Sequence, residues 1–249
     1  VNAAQKIATR VQSIAHTIQD EREAADNKIG IVVTSLNSDL QRLEKLNQQM
    51  LRSEIGSDQR ATLLDQRNQI LDNVAKTVPI KVFERPNGTF AVYYTSGASL
   101  MDITAADLGF TTSSTITSNS TNLGTLSVNG KTIENLRGFT GGQLEALFNI
   151  RDVIAPTAQA ELDQFSFDFA TATQASDPMQ IGLFTDRGNA LDSSLIRGFS
   201  SRIRLNSQID PSQGGDVNQL RQGINAPILE TRDAPFLVTL AANEGFLET

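Results

Sequence analysis

The chain contains no cysteine, no tryptophan and one histidine among its 249 residues. Without cysteine there is no disulfide and no thiolate metal site. With His16 alone, neither a histidine-based catalytic triad nor a histidine-rich metal site can be assembled from this chain. No run approaches the roughly 18 apolar residues that a membrane-spanning helix needs. Positive charge is in deficit: 21 Lys and Arg against 28 Asp and Glu leave a net charge of −7, which disfavours nucleic acid and anionic lipid as partners. Aromatic residues make up only 6%, so the core must be assembled from Leu, Ile, Val and 12 Phe.

What is present is helical periodicity. Ile7, Val11, Ile14 and Ile18 form a 4-3-4 stripe on one helix face. A second stripe, Ile29, Val33, Leu36, Leu40, Leu43, Asn47 and Met50, steps 4-3-4-3-4-3, a heptad seam with one polar member. As a helix this seam alone is roughly 33 Å long. Asn47 reads as a register-setting residue that costs stability, so Asn47→Leu is expected to be tolerated or stabilising. The two stripes differ in phase by one residue. The slip falls in "DEREAADNK" (20–28), where either the helix bends or its partner changes. Gly56 breaks the rod, and Ser57 or Asp58 can cap a second helix with Leu63, Leu64, Ile70, Leu71, Val74 and Val78 on one face. That helix is expected to fold back antiparallel and to stop at Pro79.

The texture then changes. "IKVFERPNGTFAVYY" is two strand-like runs around Asn87-Gly88, and "LSVNGKTIENL" repeats the device at Asn129-Gly130. The Ser/Thr-rich stretch 111–122 between them reads as an exposed loop. From Thr140 to Thr173 a long helix follows, with Leu144, Phe148, Arg151, Ala155, Ala158, Leu162, Phe165 and Phe169 as its seam. Pro156 sits inside it and should kink it against the carbonyl of Asp152. Residues 174–232 look largely irregular, with strand-like alternation in 202–209 and a short helix in "DVNQLRQGI", and a last helix follows in "APFLVTLAANEGFLET" (234–249). The expected class is α+β, mainly α: an elongated antiparallel helical bundle with long coiled-coil-like helices and a small hairpin-rich β insertion. Residues 1–78 and 140–249 would form the rod and 79–139 the insertion.

The chemistry expected of an enzyme is missing. "GTLSVNGKT" (124–132) places five residues, not four, before its Gly-Lys-Thr, and strand alternation runs through it, so it reads as a hairpin and not a phosphate loop. Asp186, Gly188, Asn189 and Asp192 lack the alternating ligand spacing of a calcium loop. Asp65, Asp72, Asp152, Asp163 and Asp168 are scattered along helices. Arg67 and Arg151 each interrupt an apolar face. For Arg151 the expected partner is a carboxylate on a neighbouring helix, Asp65 or Asp72. No catalytic, cofactor or metal site is expected.

Two stretches carry a resemblance. "LLDQRNQILDNVAKTVPIKVFERPNGTFAVYYTSGASLMD" (63–102) and "FTGGQLEALFNIRDVIAPTAQAELDQFSFDFA" (139–170) are similar to the flagellar hook-associated protein 1 family. The family pattern of an LLDQRD-like helix, a short β segment and GG-x-L-x-x-L-x-x-x-RD falls on Leu63, Leu64, Arg67, Gly141, Gly142, Leu144, Leu147, Arg151 and Asp152. The resemblance spans roughly residues 25–170. It implies a non-enzymatic extracellular component of the bacterial flagellum, exported through the flagellar type III system and placed between hook protein and the second hook–filament junction protein. An export chaperone and self-association of the full-length protein are implied as well. The terminal polymerising segments of the family are not seen, so this stretch reads as a core fragment, monomeric by itself. The alternative is an extracellular helical-rod binding module or adhesin-like surface protein, with the Ser/Thr-rich loop as its recognition surface.

Overall fold

A computed structural model describes residues 1–133, 141–175 and 182–216. The two helices expected within 216–249 lie outside the described residues. The remainder is mainly helical with three small antiparallel sheets.

Helix α1 runs without interruption from Asn2 to Arg52. The reason is visible in its buried face. Ala8, Ala15, Arg22, Ile29, Leu36, Leu43 and Met50, every seventh residue, are all buried. A second row runs Ala4, Val11, Ala25, Val32 and then Val33, Leu40, Asn47. The first row therefore keeps one phase throughout, and the one-residue step falls in the second row, between Val32 and Val33 and not within 20–28. The slip expected within 20–28 came from following Ile7 and Ile14, which are 39% and 38% exposed, in place of Ala8 and Ala15, which are buried. The charged block 20–28 lies on the same continuous face and contributes Arg22, Ala25 and Asp26 to the interior.

Arg52 and the turn after it end α1, and Ser57 caps α2 (Asp58–Thr77) by accepting from the Arg60 N–H. Strands β1 (Ile80–Glu84), β2 (Phe90–Tyr94) and β3 (Ser99–Met101) form one sheet in that order. The β1–β2 turn has Gly88 at φ 81°, with Gly88 N–H bonding the Arg85 carbonyl at 2.8 Å. This is a Pro-Asn type I turn closed by a left-handed glycine. Strands β4 (Leu108–Gly109), β5 (Ser127–Val128) and β6 (Lys131–Thr132) form a second sheet. Its Asn129 and Gly130 both have positive φ, 50° and 76°, the two-residue hairpin that Asn-Gly favours. Helix α3 (Gly142–Asn149) continues into a π-helical turn, Ile150–Ile154, and then α4 (Ala155–Ala175). Strands β7 (Phe184–Asp186) and β8 (Ile203–Leu205) pair antiparallel, with three short 3₁₀ turns around them.

The described residues divide into two units. One contains Val1–Asp20, Thr117–Asn119 and the chain from Ala155 onward; the other contains Glu21–Ile116 and Ser120–Ile154. Within the second unit the described part of the β segment, 79–133, shares its core with helices: Phe90, Val92, Tyr94, Leu100, Leu108 and Leu126 join one apolar cluster with the α1 seam, α2 and α3. The seam Ile29–Met50 accordingly packs against strands as well as helices. In the first unit the cluster joins Ala4, Ala8 and Val11 to Phe167, Ala170, Phe184, Phe199, Ile203, Leu205 and Ile209.

Candidate functional site: polar anchors in the helical core

The buried polar residues, not a cleft, are where the sequence departs from simple packing. In the second unit they cluster on Arg151. Its guanidinium is 2% exposed and donates from Nη1 to Asp26 Oδ1 at 2.6 Å. Nε and Nη2 donate to the two oxygens of Asp152, each at 2.8 Å. Phe148 and Phe110 lie at 4.8 and 5.6 Å from the guanidinium carbon, ring faces toward the charge. Burial pulls the Arg151 pKa down, but hydrogen bonds and charge from Asp152 and Asp26 outweigh it, and the net shift is upward. Asp26, fully buried, also accepts the Ser113 N–H at 2.6 Å. The partner carboxylate is therefore on α1, not Asp65 or Asp72 of α2.

Pro156 explains the π turn and the role of Arg22. A π turn bonds each carbonyl to the N–H five residues ahead. For Arg151 that residue is Pro156, which has no N–H. Arg22 Nε donates to this orphaned carbonyl at 2.8 Å, and its Nη2 reaches the Ser120 carbonyl at 2.9 Å. The proline is thus accommodated by a widened turn. The extra residue in that turn also moves the buried face of α4 by one position. Beyond Ala155 the buried positions are Gln159, Asp163, Ser166, Phe167, Ala170 and Thr173, while the expected Leu162 and Phe169 pack partly buried at the edge of the same cluster. Phe165 is 54% exposed.

Asparagine side chains of α1 clasp strands. Asn47 donates to the Phe90 carbonyl at 2.7 Å and accepts the Phe90 N–H at 3.0 Å. Asn37 does the same to Leu108, at 2.7 and 2.9 Å. Asn47 therefore satisfies the backbone of β2 and is no destabilising register marker; Asn47→Leu would leave two buried backbone groups without partners. Arg67 is half-buried, pairs with Glu84 at 2.8 Å and lies 5.4 Å from the Phe90 ring centre, tying α2 to the first sheet. Arg60 donates to the Met50, Ser53 and Asn87 carbonyls at 3.2, 3.4 and 2.9 Å, closing the α1–α2 turn onto the β1–β2 turn. A Cβ at Gly88 would lie 1.6 Å from the Arg60 Nη2.

The remaining sequence-selected residues are placed as follows. Leu63, Leu144 and Phe148 are buried in the second unit's cluster, with Leu64 and Leu71 partly buried against it. Gly142 has φ 80°, and a Cβ there would meet the Thr77 carbonyl oxygen at 2.5 Å, so glycine lets α3 start against the end of α2. In the first unit, Asp163 is 1% exposed and accepts from Gly198 N–H (2.6 Å), Ser200 N–H (3.0 Å), Ser200 Oγ (2.5 Å) and Gln159 Nε2 (2.8 Å). Arg22, Asp26, Arg60, Asn37, Gln159 and Asp163 were not singled out for these places. For Arg22 and Asp26 the available signal was a charge one heptad before Ile29 and Val33 of the α1 seam. Asp186 pairs with Arg202 at 2.9 Å and Asp192 caps a 3₁₀ turn, so neither is directed to a cation. Among the described residues no group of three His, Cys, Asp or Glu could hold a metal ion, and no helix is long and apolar enough to cross a membrane.

A family model described as the flagellar hook-associated protein FlgK helical domain matches residues 1–191. The chain belongs to this family. A solved structure of the flagellar hook junction protein FlgK from Burkholderia pseudomallei is similar in fold, with a TM-score of 0.57 and 20% identity over 73% of this chain. The chain spans 35% of that protein's length. No curated protein matches it.

Proposed function

We propose that this chain is the helical domain of a hook–filament junction protein, an elongated mechanical adaptor between hook protein and the second junction protein. The observation that carries the reading is the family match over residues 1–191. The physical arrangement supports it: polar side chains that a catalytic site would expose are spent on bracing backbone. On this reading the protein is exported by the flagellar type III system with an export chaperone and works outside the cell. The full-length protein self-associates through parts beyond this domain. Within the first unit, Ile7, Ile14 and Phe165 are exposed apolar side chains that a neighbouring subunit could cover.

Deletion of the full-length protein tests the reading. Cells should still build hooks but shed filament subunits into the medium, and filaments that remain attached would contradict it. Small-angle scattering on the chain should give a radius of gyration above the ~18 Å of a compact globule of this length.

A further inference from the structure

Strand β1 is the edge of its sheet, whose order is β1-β2-β3. Arg85 N–H bonds the Thr89 carbonyl and Thr95 N–H bonds the Pro79 carbonyl. With the β1–β2 register, this alternation directs the N–H and C=O groups of Ile80, Val82 and Glu84 away from β2. No described residue pairs with them, and Lys81 through Glu84 are exposed.

The outer face of the same strand is shaped. Lys81, Phe83 and Arg85 alternate along it and, with Ala91, Tyr93, Thr95 and Gly97, line an open groove of about 550 Å³. Phe83 and Tyr93 meet edge to face at 5.6 Å, and Phe83 is 56% exposed. Charges on an edge usually guard it against indiscriminate pairing. Here most are already committed: Glu84 to Arg67, and Arg85 to Asp102, which also accepts from the Tyr93 hydroxyl at 3.4 Å. Lys81 has no carboxylate partner among the described residues. The uncommitted Lys81 cation beside an aromatic groove selects a carboxylate locally, against the repulsion of a chain of net charge −7.

We propose that β1 is a docking edge for an extended acidic segment of a partner protein. The segment adds as a fourth strand, sets a carboxylate against Lys81 and an aliphatic side chain against Phe83. The inference rests on the edge and groove and does not depend on the junction reading.

The test titrates the isotope-labelled chain with acetyl-Thr-Glu-Thr-Leu-Thr-Glu-Thr-amide, with a Lys-for-Glu peptide as control. The acidic peptide should shift the amides of Ile80, Val82 and Glu84, and the control should bind at least about tenfold more weakly. Val82→Pro removes an edge donor without touching the β1–β2 ladder and should abolish the shifts. Lys81→Glu, an exposed change that leaves the fold intact, should weaken the acidic peptide by about tenfold or more. Three results would overturn the proposal: no binding of the acidic peptide, binding indifferent to both variants, or an edge already occupied by a second copy of the chain in a dimer that Val82→Pro dissolves.

Discussion

The helices of the two units fill their cores by opposite means. In the second unit α1 buries Ile29, Leu36, Leu40, Leu43 and Met50, and the strands pack onto that ridge. In the first unit α1 buries Ala4, Ala8, Ala15 and one larger residue, Val11, and α4 buries Ala155, Gln159, Asp163, Ser166, Ala170 and one larger residue, Phe167. Much of the bulk there comes from Phe184, Phe199, Ile203 and Leu205, carried by β7, β8 and a 3₁₀ turn, and joins Phe167 of α4. A small helix face leaves room for large side chains from the other direction, as close packing requires. The lesson is that the largest apolar residues on a helix need not mark its buried side. Where the opposing element supplies the volume, alanine does.

Substitutions should separate the two kinds of core. Leu40→Asp places an unpaired charge in the apolar ridge and should cost more than about 4 kcal/mol. Hydrogen exchange should show protection lost across Glu21–Ile116 and retained at Ile203 and Leu205 if the units are energetically distinct. Arg151→Met strands Asp26 without its cation and should cost about 3–5 kcal/mol in a denaturant melt, most of it recovered by adding Asp26→Leu. Asp163→Ala leaves the Gly198 and Ser200 N–H groups without an acceptor, and should cost about 3 kcal/mol, read out as lost protection in the first unit. Asn47→Leu should cost about 2 kcal/mol through the unpaired N–H and C=O of Phe90; an unchanged melting temperature would return Asn47 to the role of a dispensable register residue. Ile14→Ser should change stability by less than about 0.5 kcal/mol, since that side chain lies at the surface of the described chain.

Much of the second unit was legible in the sequence. Its seam is made of large apolar residues at heptad spacing, its turns are written in Asn-Gly and Pro-Asn-Gly, and Ser57 announces the start of α2. The first unit was less legible for two physical reasons. Alanine carries little hydrophobic signal, so Ala8 and Ala15 were outweighed by Ile7 and Ile14. The π turn before Pro156 adds a residue that no strict 4-3 spacing anticipates, and Gln159, Asp163, Ser166 and Ala170 are each buried one position after an expected seam residue. The ionic cluster was half legible: Arg151 stands out in an apolar seam, but its partners Arg22 and Asp26 sit in a charge block that looks like a solvated surface. Stepping the Ile29–Val33 seam back by one heptad turns them inward. The FlgK-type motifs were readable because they combine these structural necessities, the Gly141-Gly142 contact with α2 and the Arg151-Asp152 fork.

A chain without cysteine allows one thiol to be placed at will, and α1 offers neighbouring positions that decide the matter. If a single unbroken column from Ala8 to Met50 faces the interior, Ala15→Cys should react with a thiol reagent in the native protein at least about a hundredfold more slowly than Ile14→Cys. Faster labelling at position 15 than at 14 would put the isoleucine stripe inside and contradict the continuous face of α1.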